Sequence, residues 1–91
     1  MNKMKCFAIK VYGKVQGVGF RFYTQKTALK LGVKGFVKNE RDGSVYIEAK
    51  AKADVMEIFV EWAKKGPEWA RVDKVSLQDL PMQNFEGFDI R

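Results

Sequence analysis

A glycine-rich segment that ends in an arginine is the part of this sequence best suited to chemistry. It reads Gly-Lys-Val-Gln-Gly-Val-Gly-Phe-Arg over residues 13–21. Glycines at positions 13, 17 and 19 let successive backbone N–H groups turn toward one point, which forms an anion-binding nest. A helix that starts after the loop would add its own unpaired N–H groups and the positive end of its dipole. Glycine spacing alone is equally compatible with a tight turn that binds nothing, and neither a Walker loop nor a dinucleotide fingerprint is present.

Arg21 favours the anion-binding interpretation. A cation in the first turn of a helix opposes the helix dipole and costs roughly 0.3–1 kcal/mol at low ionic strength. A bound anion would reverse that penalty, and a guanidinium can grip two phosphate oxygens at once. The alternative is that Arg21 points into solvent or pairs with a carboxylate.

The sequence contains no histidine and only one cysteine, Cys6. Ser-His and Cys-His nucleophile pairs are therefore excluded, and so is the usual zinc ligand. Catalysis would depend on carboxylates, lysines or electrostatic positioning, and we expect no metal and no other cofactor. A lone cysteine allows no intramolecular disulfide, so the expected compartment is the cytoplasm.

Length and composition predict one folded domain over residues 1–91 that acts as a monomer. The chain has 46% hydrophobic and 31% charged residues, as in ordinary globular proteins. Its net charge of +6 favours anionic partners without choosing among them. The N-terminal segment has only short apolar runs interrupted by lysines, so we expect neither a signal peptide nor a membrane span.

A strand leads through the glycine-rich loop into a helix. Apolar residues alternate over residues 7–12, which predicts a strand that ends at Gly13. The period then changes to that of a helix, which we expect to begin near Phe20 and to end at Gly32. The inward stripe assigned to this helix consists of Phe22, Gln25, Ala28 and Leu29.

The remaining elements complete an α+β pattern. Residues 35–39 and 44–50 read as a hairpin around an Asp-Gly turn, with the side chains of Val45, Ile47 and Ala49 inward. A capping-box-like Asp54 and Glu57 predict a second helix with an apolar stripe, ended by Gly66 and Pro67. That stripe consists of Val55, Ile58, Phe59 and Trp62.

Two more strands are predicted, over residues 72–80 and at 88–90. The order predicts a ferredoxin-like two-layer sandwich, an antiparallel sheet of four to five strands with two helices on one face.

These residues resemble the acylphosphatase family over nearly the whole chain. The most specific part is Val-Gln-Gly-Val-Gly-Phe-Arg at 15–21 combined with an asparagine at the end of the second strand, Asn39. The other positions that carry the resemblance are Gly13, Lys14, Thr24, Ala28, 32–38, Asp42, Gly43, Gly66, Pro67, Ala70, Val72, Val75 and 88–91.

The resemblance implies hydrolysis of an acyl phosphate to a carboxylate and inorganic phosphate, without a metal. It implies that Asn39 positions the attacking water. It also implies that the Arg21 side chain and a run of backbone groups bind the phosphoryl group. That run consists of Gln16, Gly17, Val18, Gly19, Phe20 and Arg21. A carboxylate leaving group needs little help from a general acid, so the missing histidine is tolerable. Inorganic phosphate is then the product and an expected competitive inhibitor.

Three alternatives stand beside this interpretation. Asn39 could be an ordinary turn asparagine ahead of the Asp-Gly pair. The same plan with basic charge also describes RNA-recognition domains, although Lys34-Gly35-Phe36-Val37 matches only a fragment of their motif. A similar domain also lies at the N-terminus of larger hydrogenase-maturation carbamoyltransferases, in which it is one part of a longer enzyme. We expect a free-standing enzyme with no nucleic-acid and no membrane partner.

Overall fold

A five-stranded sheet and two helices form the two layers of the computed structural model, which describes residues 3–91. The elements are β1 Met4–Lys14, α1 Phe20–Leu31, β2 Lys34–Asn39, β3 Val45–Lys52, α2 Ala53–Lys65, β4 Arg71–Asp79 and β5 Phe88–Ile90. The strands lie in the order β4-β1-β3-β2-β5. The predicted ferredoxin-like α+β plan is confirmed.

Of the four strand pairs formed by residues 3–91, three are antiparallel and one is parallel. β3 runs antiparallel to both β1 and β2, and β4 runs antiparallel to β1. β5 pairs parallel to β2, with Gly35 opposite Phe88 and Val37 opposite Ile90. The chain crosses from the β4 edge to the opposite edge before β5 begins, so the fully antiparallel sheet that we expected becomes a mixed one.

The core lies between one face of the sheet and both helices. Alternation along the strands turns the side chains of Ile9, Val37 and Ile47 toward the helices, and each is fully buried. The predicted inward residues of the hairpin are likewise buried, which confirms that part of the pattern. Helix α1 packs over β2 and β5, and α2 packs over β1, β3 and β4.

The buried face of α1 differs from the predicted stripe. Its buried residues are Phe20, Thr24 and Ala28, and the Thr24 hydroxyl donates a hydrogen bond of 2.7 Å to the Phe20 carbonyl. Phe22 is 56% exposed and Leu29 is 61% exposed, so their assignment to the core is wrong. Phe20 sets the inward face, and a step of two residues turns the helix by about 200°, which sends Phe22 outward.

Helix α2 also begins and packs differently from the prediction. It starts at Ala53, where residues 3–91 provide no side-chain cap, and the Asp54 carboxylate accepts a hydrogen bond from the adjacent N–H of Val55 and from no other group of these residues. Ile58 is exposed, and Trp62 is half-buried rather than fully inside. The buried residues are Met56, Phe59, Val60 and Ala63. Across residues 3–91, neither helix is long and apolar enough to span a membrane.

The turn between β2 and β3 is held by Asp42. Its carboxylate accepts hydrogen bonds from the N–H and the hydroxyl of Ser44, and its second oxygen lies 3.1 Å from the Lys10 ammonium. These bonds, the one from the Ser44 hydroxyl first, lower the pKa of Asp42 to about 2. The turn follows Asn39 directly, so this network holds the end of β2 in place.

Gly35 marks a close approach between β2 and β3. Its φ is +147°, and a Cβ there would collide with the backbone carbonyl of Glu48. We expect Gly35→Ala to lower the free energy of unfolding by about 3 kcal/mol or more, because the colliding atom belongs to backbone and has no room to yield. Gly87→Ala is the matched control, since a Cβ at Gly87 meets open space. Urea unfolding of both variants measures the difference, and equal stabilities would contradict this account.

Asp42 makes the stability of the hairpin dependent on pH. A carboxylate whose pKa falls on folding stabilises the folded state above its ordinary pKa, here 3.8, and loses that contribution as the pH falls through about 2. We therefore expect Asp42→Asn to be less stable than the wild type at pH 5, with the gap closing between pH 4 and pH 2. Asp89→Asn, at an exposed position of β5, controls for loss of a carboxylate. A gap that stays constant over this range would refute the assignment.

Candidate active site

The loop of residues 15–19 connects β1 to α1 with alternating backbone handedness. Gly17 has φ +75° and Gly19 has φ +78°, both in the left-handed region. Among residues 3–91, every residue with positive φ is a glycine, so Gln16 and Val18 keep ordinary conformations. A nest forms where left-handed and right-handed residues alternate, and the positive φ of Gly17 and Gly19 on either side of Val18 fits that pattern.

The N–H groups of this loop and of the first helical turn have no partner within the protein. In the first backbone hydrogen bond of α1, the N–H of Tyr23 donates to the carbonyl of Gly19 at 3.0 Å. In the described chain, no protein group accepts a hydrogen bond from the N–H groups of residues 17–22. The helix has no side-chain cap and no acidic residue in its first turn. These donors are therefore available to an anion.

Buried side chains on either side of the nest hold its backbone in place. Val15 is 1% exposed and Phe20 is 2% exposed. The Phe20 ring packs against the ring of Trp62, with 5.6 Å between centroids. Val18 is partly buried against the core. The loop thus has apolar anchors at both ends and in the middle, while the N–H groups of residues 17–19 have no partner within the described chain.

The Gln16 side chain links the loop to the β2–β3 turn. Its amide Nε2 donates hydrogen bonds to the carbonyls of Glu40 and Ser44, at 2.8 and 2.9 Å. These residues lie 24 and 28 positions further along the chain. Since Asn39 directly precedes Glu40, the link sets the distance between the nest and Asn39.

Strand direction brings the loop and Asn39 to the same edge of the sheet. Strands β1 and β2 both run antiparallel to β3, so they run in the same direction and end on the same side. Val11 and Asn39 are both paired with Val45, the first residue of β3. Asn39 also shares the helix-facing side of β2 with Val37, because side chains alternate along a strand.

A cavity of about 240 Å³ lies at this edge, below the usual range for drug-sized ligands, which suits a small molecule. Five of the predicted site residues line it, namely Gly17, Gly19, Phe20, Arg21 and Asn39. Gln16 and Val18 belong to the loop, but they lie outside the residues that line this cavity. The roles of all seven in binding and catalysis stay predictions.

Arg21 gives the cavity a positive charge. It is exposed, and it takes part in none of the four ion pairs formed by residues 3–91. Among the residues lining the cavity there is no carboxylate. Of the two alternatives for Arg21, the structure therefore does not support pairing with a carboxylate. No group of three or more potential metal ligands occurs in residues 3–91.

Sequence reasoning missed three residues that line the cavity: Val15, Phe22 and Ile90. Phe22 was placed in the core stripe, although its position directly after Arg21 is a signal that it lies at the same end of the helix. Ile90 reaches the site because β5 runs parallel to β2 and therefore ends at the same edge. No local pattern indicates that pairing.

Acylphosphatases are among the known proteins that are similar to this chain. The sequence model of the acylphosphatase family matches residues 7–90. The acylphosphatase of Mannheimia succiniciproducens is 54% identical over 69 residues, which is 76% of this chain and 77% of the relative. That of Thermotoga maritima is 43% identical over 88 residues, 97% of this chain and 98% of the relative.

A solved structure supports the same assignment. The acylphosphatase from Coxiella burnetii superposes with a TM-score of 0.93 at 35% identity, over 97% of this chain and 93% of that chain. The shared fold and the match over residues 7–90 agree, and the chain belongs to the acylphosphatase family.

Proposed function

We propose that this chain hydrolyses acyl phosphates to a carboxylate and inorganic phosphate at the cavity between the nest and Asn39. The observation that carries the proposal is the set of unpaired N–H groups at residues 17–22, which opens on the same cavity as Arg21. Phosphoryl transfer needs positioning and stabilisation of charge more than it needs a covalent intermediate. A chain without histidine can supply both.

The nest and Arg21 hold the phosphoryl group in this mechanism. Backbone N–H groups of the loop and first helical turn donate to its oxygens, and the guanidinium binds two oxygens in a fork. These donors are fixed before the reaction, so they stabilise the charge of the transition state without reorganising. No metal and no other cofactor takes part.

Asn39 holds the attacking water. Its amide oxygen accepts a hydrogen bond from the water, which orients a lone pair toward phosphorus. A new P–O bond forms as the bond to the acyl oxygen breaks, and the carboxylate leaves with the electron pair. The amide is too weak a base to take the proton, which passes to a phosphate oxygen of the substrate or to solvent.

We propose that residues 1–91 act as one domain, as a monomer in the cytoplasm, with inorganic phosphate as product and competitive inhibitor. The single cysteine, Cys6, is free and buried, which suits a reducing compartment.

The RNA-binding alternative is less well supported by the sheet face away from the helices. RNA-recognition domains stack bases on exposed aromatic rings of their strands. Phe36, the aromatic residue of the matching fragment, is only 7% exposed. The guanidinium of Arg91 lies 3.9 Å from the centre of its ring. That ring is therefore already covered by a cation.

Substitution of Arg21 and Asn39 tests the proposed roles. We expect Arg21→Ala and Arg21→Lys to lower kcat/KM for benzoyl phosphate by about 10²–10³. Alanine removes the charge, and lysine keeps the charge but cannot bind two phosphate oxygens at once as a guanidinium does. For Asn39→Ala we expect a comparable loss in kcat with nearly unchanged competitive inhibition by inorganic phosphate. Assays in a chelating buffer test metal independence at the same time.

A control separates these effects from loss of folding. Lys30→Ala removes a cation from the far end of α1, and we expect wild-type turnover. Wild-type turnover in both Arg21 variants would rule out the assigned role of Arg21. Normal hydrolysis by Asn39→Ala would show that another group positions the water.

Gln16 is a positioning residue in this scheme, and its test is coupling to Asn39. We expect Gln16→Ala to lower kcat by up to about 100-fold, because a small displacement of the water suffices for such a loss. In the Asn39→Ala background the same change should add little, since both act through one water. Gln78→Ala, at an exposed position on β4, is the matched control. Fully additive losses would contradict the proposed coupling.

A further inference from the structure

Two large apolar side chains beside the phosphate nest are left exposed. Phe22 is 56% exposed and Ile90 is 41% exposed, and both line the cavity that contains Arg21. Leu29, on the same helix, is equally apolar and exposed but does not line the cavity. Phe22 and Ile90 are therefore the apolar groups that a ligand in this cavity could cover.

A hydrogen bond between α1 and β5 brings the two side chains together. The Gln25 amide donates to the carbonyl of Phe88 at 2.8 Å, which ties the helix to the strand. Phe22 lies one turn before Gln25 on the same side of α1. Ile90 lies two residues after Phe88 and so projects from the same face of the sheet. The edge of the Phe22 ring packs on Tyr23, with 5.1 Å between centroids.

We infer that Phe22 and Ile90 receive the acyl group of the substrate, so that the enzyme prefers aromatic or branched apolar acyl phosphates to acetyl phosphate. This inference rests on the proposed function. Because Arg21 and Phe22 line the same cavity, the rest of a substrate whose phosphoryl group is held by Arg21 can reach the Phe22 side chain. Contact with the acyl group removes apolar surface of both partners from water.

The chemistry of the lining supports an apolar acyl group over a polar one. Apart from Arg21 and Asn39, which the mechanism uses for the phosphoryl group and the water, the lining side chains are apolar or absent. A carbamoyl amino group would therefore find no dedicated side-chain partner within this part of the described chain. An acetyl group is too small to cover both Phe22 and Ile90.

The test compares two substrates across matched variants. We expect Phe22→Ala to lower kcat/KM for benzoyl phosphate by about tenfold and to change that for acetyl phosphate by less than about twofold. Ile90→Ala should act in the same direction, and Phe22→Leu should recover part of the loss. Leu29→Ala should leave both substrates unchanged. Urea unfolding midpoints establish that each variant is folded.

Phosphonate analogues separate binding from chemical reactivity. Benzoylphosphonate and acetylphosphonate carry a P–C bond that the enzyme does not hydrolyse. We expect Phe22→Ala to weaken competitive inhibition by benzoylphosphonate about tenfold, with inhibition by inorganic phosphate unchanged.

The outcomes distinguish this inference from the function on which it rests. If the wild type hydrolyses both substrates and the benzoyl-to-acetyl ratio is the same in Phe22→Ala, Ile90→Ala and Leu29→Ala, the acyl assignment alone is overturned. If the wild type hydrolyses neither substrate, the proposed function is overturned and the acyl assignment with it.

Discussion

Unpaired backbone N–H groups at the junction of β1 and α1 are the constraint on which the rest of the structure depends. Residues 17–22 present donors that no protein group in the described chain accepts. A helix start without a side-chain cap, and with Arg21 in its first turn, is unfavourable on its own. Anchors on either side, Val15 and Phe20, keep the loop from relaxing. The fold thus stabilises a local arrangement whose free N–H donors and nearby guanidinium suit an anion.

In the proposed mechanism, fixed electrostatics replaces proton-transfer groups. A nest and a guanidinium concentrate positive potential without a titrating residue, so the chain can do without histidine. The Asp42 carboxylate has a structural role in the hairpin. It binds Ser44 and Lys10, which holds the turn after Asn39, and it does not line the cavity, whose lining contains no carboxylate.

Local patterns predicted most of the fold, and long-range pairing explains where they failed. The β2–β3 hairpin and its buried face follow from alternation around an Asp-Gly turn, which is a property of adjacent residues. The predicted inward face of α1 is wrong, because Phe20 is buried in the core at the first position of the helix and sets which face points inward. The Gln16 link joins residues 24 and 28 positions apart, and no periodicity encodes it. The place of Arg21 in the first helical turn indicated its role, whereas Asn39 and its pairing with Arg21 came from the family resemblance. Strand direction supplies the physical reason that the two residues share a cavity.

Strand direction also explains why several residues that line the cavity lie at one edge of the sheet. Strands that run in the same direction end on the same side, so β1, β2 and β5 deliver the nest, Asn39 and Ile90 to one edge. Of these, β5 is the strand whose parallel pairing the sequence did not predict. A fifth strand antiparallel to β2 would begin at this edge with Phe88, which is 3% exposed and belongs to the core. The parallel arrangement instead keeps Phe88 inside and places Ile90, a half-exposed apolar residue, beside the proposed phosphate site.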